Sequence, residues 1–134
     1  MSELRTNRII PRDGLSSGSW CGGIIQIAYA SYDGSALSLT TTTDVLSGSI
    51  TPTRSDSKIL LMVSIYVGHE GNVPRFGFVI YKGGSALSGA IGDTAGDRAR
   101  VTGINFQSGG LGYISPLTAN HLDSPSTTSA ITYG

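Results

Sequence analysis

What this chain lacks constrains its fold more than what it contains. Exposed helices are surfaced by Glu, Lys, Arg and Gln, which lose little rotamer freedom in a helix. The 134 residues hold two Glu, two Lys and two Gln, against 19 Gly. Charged residues make up 13% of the chain, about half of the ~25% usual in globular domains. Ser and Thr supply much of the remaining polarity. Such a chain cannot surface a long solvent-exposed helix, whereas Ser, Thr and Gly suit turns and sheet surfaces. The expected class is all-β, in one domain with one modest core.

Charge and cysteine narrow the partners. The formal net charge is zero, so no broad basic field calls for nucleic acid. The one local bias lies near the start, at Arg5, Arg8 and Arg12. No apolar run is long enough to cross a bilayer as a helix, and Met-Ser-Glu-Leu-Arg carries no apolar signal region, so neither membrane insertion nor classical secretion is expected. The single cysteine, Cys21, excludes an internal disulfide framework. For a small domain without staples, self-association is the expected source of added stability.

Along the chain, residues 1–22 read as an extended docking arm. Leu4, Ile9 and Ile10 alternate with the arginines, and the run Ser16-Ser17-Gly18-Ser19 forms a flexible joint before Trp20. An arm of this kind cannot bury its own apolar residues and needs a partner to lie on. Trp20, at the joint, is expected to pack against its own domain or a neighbouring subunit. Residues 23–134 read as a β-sandwich. Ile24–Ala30 and the Thr-rich Leu37–Leu46 are strand candidates, and Pro52 stops a strand or keeps it at an edge. Lys58–Val67 is the strongest element, a continuous apolar run whose Ile59, Val63, Ile65 and Val67 favour a strand over a helix. Gly68–Asn72 reads as a hairpin loop, with Arg75–Tyr81 returning beside Lys58–Val67.

Further on, Lys82-Gly83-Gly84-Ser85 is a turn, Ala86–Ile91 a short strand, Gly92–Asp97 a loop and Ala99–Gln107 a strand. The span from Ser115 to Ser126, with Pro116 and Pro125, reads as a long loop, and Ser129–Tyr133 opens a last strand. Ending at Gly134 as that pattern begins, the domain is expected to lack its final strands. Short strands separated by Gly-rich turns predict an antiparallel sandwich, jelly-roll-like in its preferred form.

The residues that carry chemistry are sparse. Only His69 and His121 could serve as imidazole bases, His69 beside Glu70 and His121 two residues before Asp123. Both read as exposed loop histidines, short of the nucleophile–base–acid set of a hydrolase. Glycosidase chemistry needs two carboxyls at a set separation. The acids Asp33, Asp44, Asp56, Glu70, Asp93, Asp97 and Asp123 fall mostly in turns, where Asp is a routine backbone-bonding residue. Asp93 and Asp97 flank a Gly-rich loop without the spacing of a calcium motif, and one Cys with two distant His makes no zinc set. Gly109-Gly110-Leu111-Gly112 has no Lys-Ser/Thr after it and is not a phosphate loop. No catalytic residue, metal or cofactor is expected.

Three stretches resemble a known group. Leu4-Arg5-Thr6-Asn7-Arg8-Ile9-Ile10-Pro11-Arg12-Asp13-Gly14, followed by Gly23-Ile24-Ile25-Gln26-Ile27, is similar to the opening of bacteriophage tail-fibre and virion structural proteins, including those of cyanophages. Ile50-Thr51-Pro52-Thr53-Arg54-Ser55-Asp56-Ser57-Lys58-Ile59-Leu60-Leu61 resembles a recurring stretch of the same proteins. The resemblance covers roughly the first half of the chain and implies a β-rich virion protein, commonly a homotrimer, with no catalytic residues. On this reading Leu4, Arg5, Arg8, Ile9, Ile10, Arg12 and Trp20 dock on the tail or baseplate. The loops carrying His69, Glu70, Asn72, Asp93, Asp97, His121 and Asp123 face outward, toward a host-surface glycan or protein. Two alternatives stay open: a capsid cement protein whose arm clamps capsid subunits, and a small glycan hydrolase of a tailspike.

Overall fold

A computed structural model describes residues 24–68, 75–106 and 114–134. The docking-arm residues Leu4, Arg5, Arg8, Ile9, Ile10 and Arg12, the joint residue Trp20, and the loop residues His69, Glu70 and Asn72 lie outside them.

The described chain is all-β and antiparallel. In order it runs through β1 (Gly48–Ile50), β2 (Ile59–Gly68), β3 (Arg75–Phe78), β4 (Tyr81–Lys82), β5 (Ser85–Ala86), a single 3-10 turn at Ser88–Ala90, β6 (Gly103–Phe106), β7 (Ile114–Asp123) and β8 (Ile131–Tyr133). Four strands form one sheet in the order β1-β8-β4-β5, and β2–β7 and β3–β6 form two separate ribbons. No α-helix occurs among the described residues, as the shortage of helix-surfacing side chains requires.

The β2–β7 ribbon is the backbone of the molecule. Each strand has ten residues, and their register runs from Ile59 opposite Asp123 to Gly68 opposite Ile114. Alternation gives the ribbon an inner row on each strand: Ile59, Leu61, Val63, Ile65 and Val67 on β2, and Ser115, Leu117, Ala119, His121 and Asp123 on β7. The inner face meets the four-stranded sheet at a small apolar cluster of Ile59, Ile131 and Tyr133, with Ile50, Leu61 and Leu87 packed against it. Val67 and Ile80 are buried outside this cluster.

Local signals explain the smaller elements. Gly83 and Gly84 both have positive φ, 57° and 81°, as a tight two-residue hairpin joining β4 to β5 demands. In the β3–β6 ribbon Phe78 faces Gly103. Its ring fills the space of the missing side chain, for a Cβ on Gly103 would fall 2.5 Å from a Phe78 ring carbon.

The structure corrects several sequence expectations. The run at 58–67 is a strand, but it pairs with β7 and not with residues 75–81, the first of which pair with β6. The expected loop from Ser115 to Ser126 is mostly β7. His121 and Asp123 are therefore not loop residues: alternation turns both to the inner face, where His121 is half-buried and Asp123 buried. Residues 24–30 and 37–46 join no ladder among the described residues. The expected strand at 86–91 is reduced to the end of β5 and the 3-10 turn. β8 is paired with β1 on one side and β4 on the other, and Gly134 exchanges backbone hydrogen bonds with Tyr81 at 2.7 and 3.1 Å.

Candidate functional site

Two features of the β2–β7 ribbon stand out, one on each face. The inner feature is polar. Tyr133 donates its phenol proton to an Asp123 carboxylate oxygen at 2.6 Å, and the Lys82 ammonium lies 2.7 Å from the same oxygen. The three residues come from β8, β7 and β4, so the cluster ties the ribbon to the four-stranded sheet beside the apolar core.

Burial alone would raise the Asp123 pKa, but the hydrogen bonds from Lys82 and Tyr133 outweigh it and hold the carboxyl below its ordinary value. The Tyr133 phenol is pushed well above its ordinary value, first by burial and then by the carboxylate it serves. A carboxylate so engaged is held as a structural anion, its pKa lowered and not raised as a general acid would need. His121, on the same inner face, packs near the 3-10 turn. A Cβ added at Gly89 would lie 3.1 Å from its ring.

The outer feature is apolar. Facing away from the core are Leu60, Met62, Ser64, Tyr66 and Gly68 on β2, and Ile114, Pro116, Thr118, Asn120 and Leu122 on β7, paired across in that register. Every one is exposed, and none is charged. A half-covered antiparallel sheet ordinarily turns polar side chains to water. Here Tyr66 is 76% exposed, Met62 74% and Ile114 73%.

The remaining sequence candidates are scattered. Asp93 and Asp97 lie in an exposed loop, as expected, and neither is engaged by a hydrogen bond or ion pair among the described residues. Asp33 accepts from Ser31 at 3.1 Å. Asp56 is held by Arg54 through two bonds of 2.8 and 2.9 Å, which lower its pKa. A shallow surface cleft lined by Ser55, Asp56, Ser57, Lys58, Ser124 and Ser126 lies at one end of the ribbon. Its cation is already used, since Lys58 donates to Ser124 at 2.6 Å. Among the described residues no group of three or more His, Cys, Asp or Glu is placed to hold a metal. None of their helices is long and apolar enough to cross a membrane.

Sequence reasoning missed both ribbon features. Lys82 reads as a turn residue and Tyr133 as one aromatic among many, and no spacing joins them to Asp123. The outer face did leave a signal. The run at 58–67 is apolar at both odd and even positions, and a strand of that kind needs cover on both faces. Comparison with protein-family models, curated proteins and solved structures gives no match for this chain.

Proposed function

We propose that this protein is a structural component of a bacteriophage virion, a tail-fibre protein that works by assembling with copies of itself and with other virion proteins. The observation that carries the assembly part is the uncharged, exposed outer face of the β2–β7 ribbon. An exposed apolar patch of this size on a small domain marks an interaction site. The virion part is supported by the resemblance of residues 4–61. On this reading residues 1–22 dock on the tail or baseplate, and the assembled antiparallel sheets form a sandwich of jelly-roll type, commonly as a homotrimer. The loop holding Asp93 and Asp97 faces outward, toward a host-surface glycan or protein.

The role is structural and not catalytic. Of the acids that glycan cleavage would need, Asp123 is locked to Lys82 and Tyr133, and Asp56 to Arg54. The test is location. Imaging of particles made with and without the protein should show it in fixed copy number on the tail, and particles lacking it should assemble but fail to adsorb. Density over the capsid seams instead would make it a cement protein. Absence from particles, or release of reducing sugar from host polysaccharide, would overturn the reading.

A further inference from the structure

Among the described residues, Asp123 is the one charged residue that is buried. Both of its partners approach the same oxygen, Oδ2: the Lys82 ammonium at 2.7 Å and the Tyr133 hydroxyl at 2.6 Å. The Asp123 side chain is 11% exposed and that of Lys82 29%. Ile59 stands opposite Asp123 in the ribbon, and Ile59 and Tyr133 share the apolar cluster with Ile131. An amine, a carboxyl and a hydroxyl donor thus meet at one oxygen beside the core, with little room for water.

Two physical arguments make this contact reactive. The first is desolvation. Burial strips hydration from both charges, and their attraction offsets that loss only in part. An amide in their place carries no charge and releases a water. The second is proximity. A nitrogen 2.7 Å from a carboxyl oxygen lies within about 1 Å of the ~3–3.5 Å separation from the carbon at which reacting atoms meet. Strands β4 and β7 hold the two ends in that position. The chain's other lysine, Lys58, meets the Ser124 hydroxyl, and no carboxyl lies within ion-pair distance of it among the described residues. With a single cysteine, the chain has no internal disulfide to tie its layers.

We propose that Lys82 and Asp123 close into an isopeptide bond, a covalent tie between the β2–β7 ribbon and the four-stranded sheet. The ammonium first hands a proton to Asp123 Oδ2, which leaves an amine facing a carboxylic acid. The amine nitrogen attacks Cγ, and the C–N bond forms. Oδ2 then leaves as water, carrying that proton and a second one from the nitrogen, while Oδ1 remains as the amide carbonyl. Nothing is oxidised or reduced. Tyr133 donates to Oδ2 and steadies the charge that gathers there as the C–O bond breaks. The fresh fold holds Asp123 as the anion, so the neutral pair is a minor state. The bond therefore forms slowly, on ageing, with the ion pair as its starting state. The tie goes beyond the virion reading and does not depend on it.

The test is the mass of the full chain, folded and then aged at neutral pH. The parent is expected to lose the mass of one water from its 13.9 kDa. Trypsin then locates the bond. An acylated Lys82 is not cut, so residues 76–98 should stay joined to residues 101–134 as one branched peptide. Without the bond, 76–82, 83–98 and 101–134 come apart. Lys82→Arg keeps a cation beside Asp123, so circular dichroism should show it folded, yet it is expected to keep its full mass. Tyr133→Phe keeps the ring in the cluster and should form the bond more than about tenfold more slowly. A covalent tie restricts the unfolded chain. The thermal midpoint of the parent should therefore rise with ageing, and that of Lys82→Arg should not.

Two results would overturn the proposal. One is a parent that keeps its full mass after long ageing and yields only linear peptides. The other is a missing water that persists in Lys82→Arg, which would place the dehydration elsewhere, as in an aspartyl ring at the exposed Asp33-Gly34. A Tyr133→Phe chain that closes the bond as fast as the parent would overturn the part given to the phenol. Failure of the virion reading looks different: a chain that forms the bond, yet never enters a particle.

Discussion

Two stretches of this chain have similar β-prone composition and opposite fates. Residues 129–134 lie between β1 and β4, with Ile131 and Tyr133 in the core and Tyr133 bonded to Asp123. Residues 24–30 are richer in isoleucine, yet among the described residues they pair with nothing and expose nearly all their apolar side chains. The difference is not propensity, which favours a strand in both. It is strand pairing: residues 131–133 sit between β1 and β4, while residues 24–30 join no ladder among the described residues.

Substitutions can break that comparison at the completed end first. Ile131→Ala removes a buried side chain from the middle of the small cluster and is expected to cost ~3 kcal/mol in urea unfolding. A value under ~1 kcal/mol would mean that β8 is not held by its packing. Asp123→Asn removes the charge that Lys82 and Tyr133 share and should cost ~2 kcal/mol, read in the same way. A smaller loss would place the strength of this end in the apolar contacts alone.

The pH dependence follows from the same cluster. The folded Asp123 carboxyl is held below its ordinary 3.8, so its contribution is present above that value and is lost as pH falls through the lower folded one. The folded Tyr133 phenol is raised above its ordinary 10.0, so its contribution is present below that value and is lost as pH rises beyond it. The difference in stability between the parent and Asp123→Asn should therefore be flat from about pH 5 to 9 and shrink on both sides. A difference that grew toward acid would contradict the ion pair.

The smallest effect belongs to the open end. Ile25→Ser, in the dilute monomer, should change stability by less than ~0.5 kcal/mol, as for an exposed site. A cost above ~1 kcal/mol would show that residues 24–30 are packed within their own chain.

These regions also show what the sequence made legible. The all-β class followed from the missing helix formers. β2 followed from its β-branched run, and the β4–β5 turn from Gly83-Gly84. Partners were harder to read. Proximity in sequence makes residues 75–81 the natural mate for β2, but the real one begins with Asp123 opposite Ile59. Pro116, Thr118 and Asn120 gave β7 the texture of a loop, because they lie on its outer face while Leu117 and Ala119 carry its inner one. Proline is tolerated there because one edge of β7 carries no ladder among the described residues. The Lys82–Asp123–Tyr133 cluster joins three strands far apart in sequence, and no local pattern encodes it. The outer face was half legible, as an apolar run too long for one-sided burial.

The central proposal is that this chain assembles with copies of itself. Sedimentation equilibrium of the full protein over a wide concentration range tests it most directly. The account predicts a reversible rise from the 13.9 kDa chain mass to a whole-number multiple of it. A single species at 13.9 kDa across the range would contradict it.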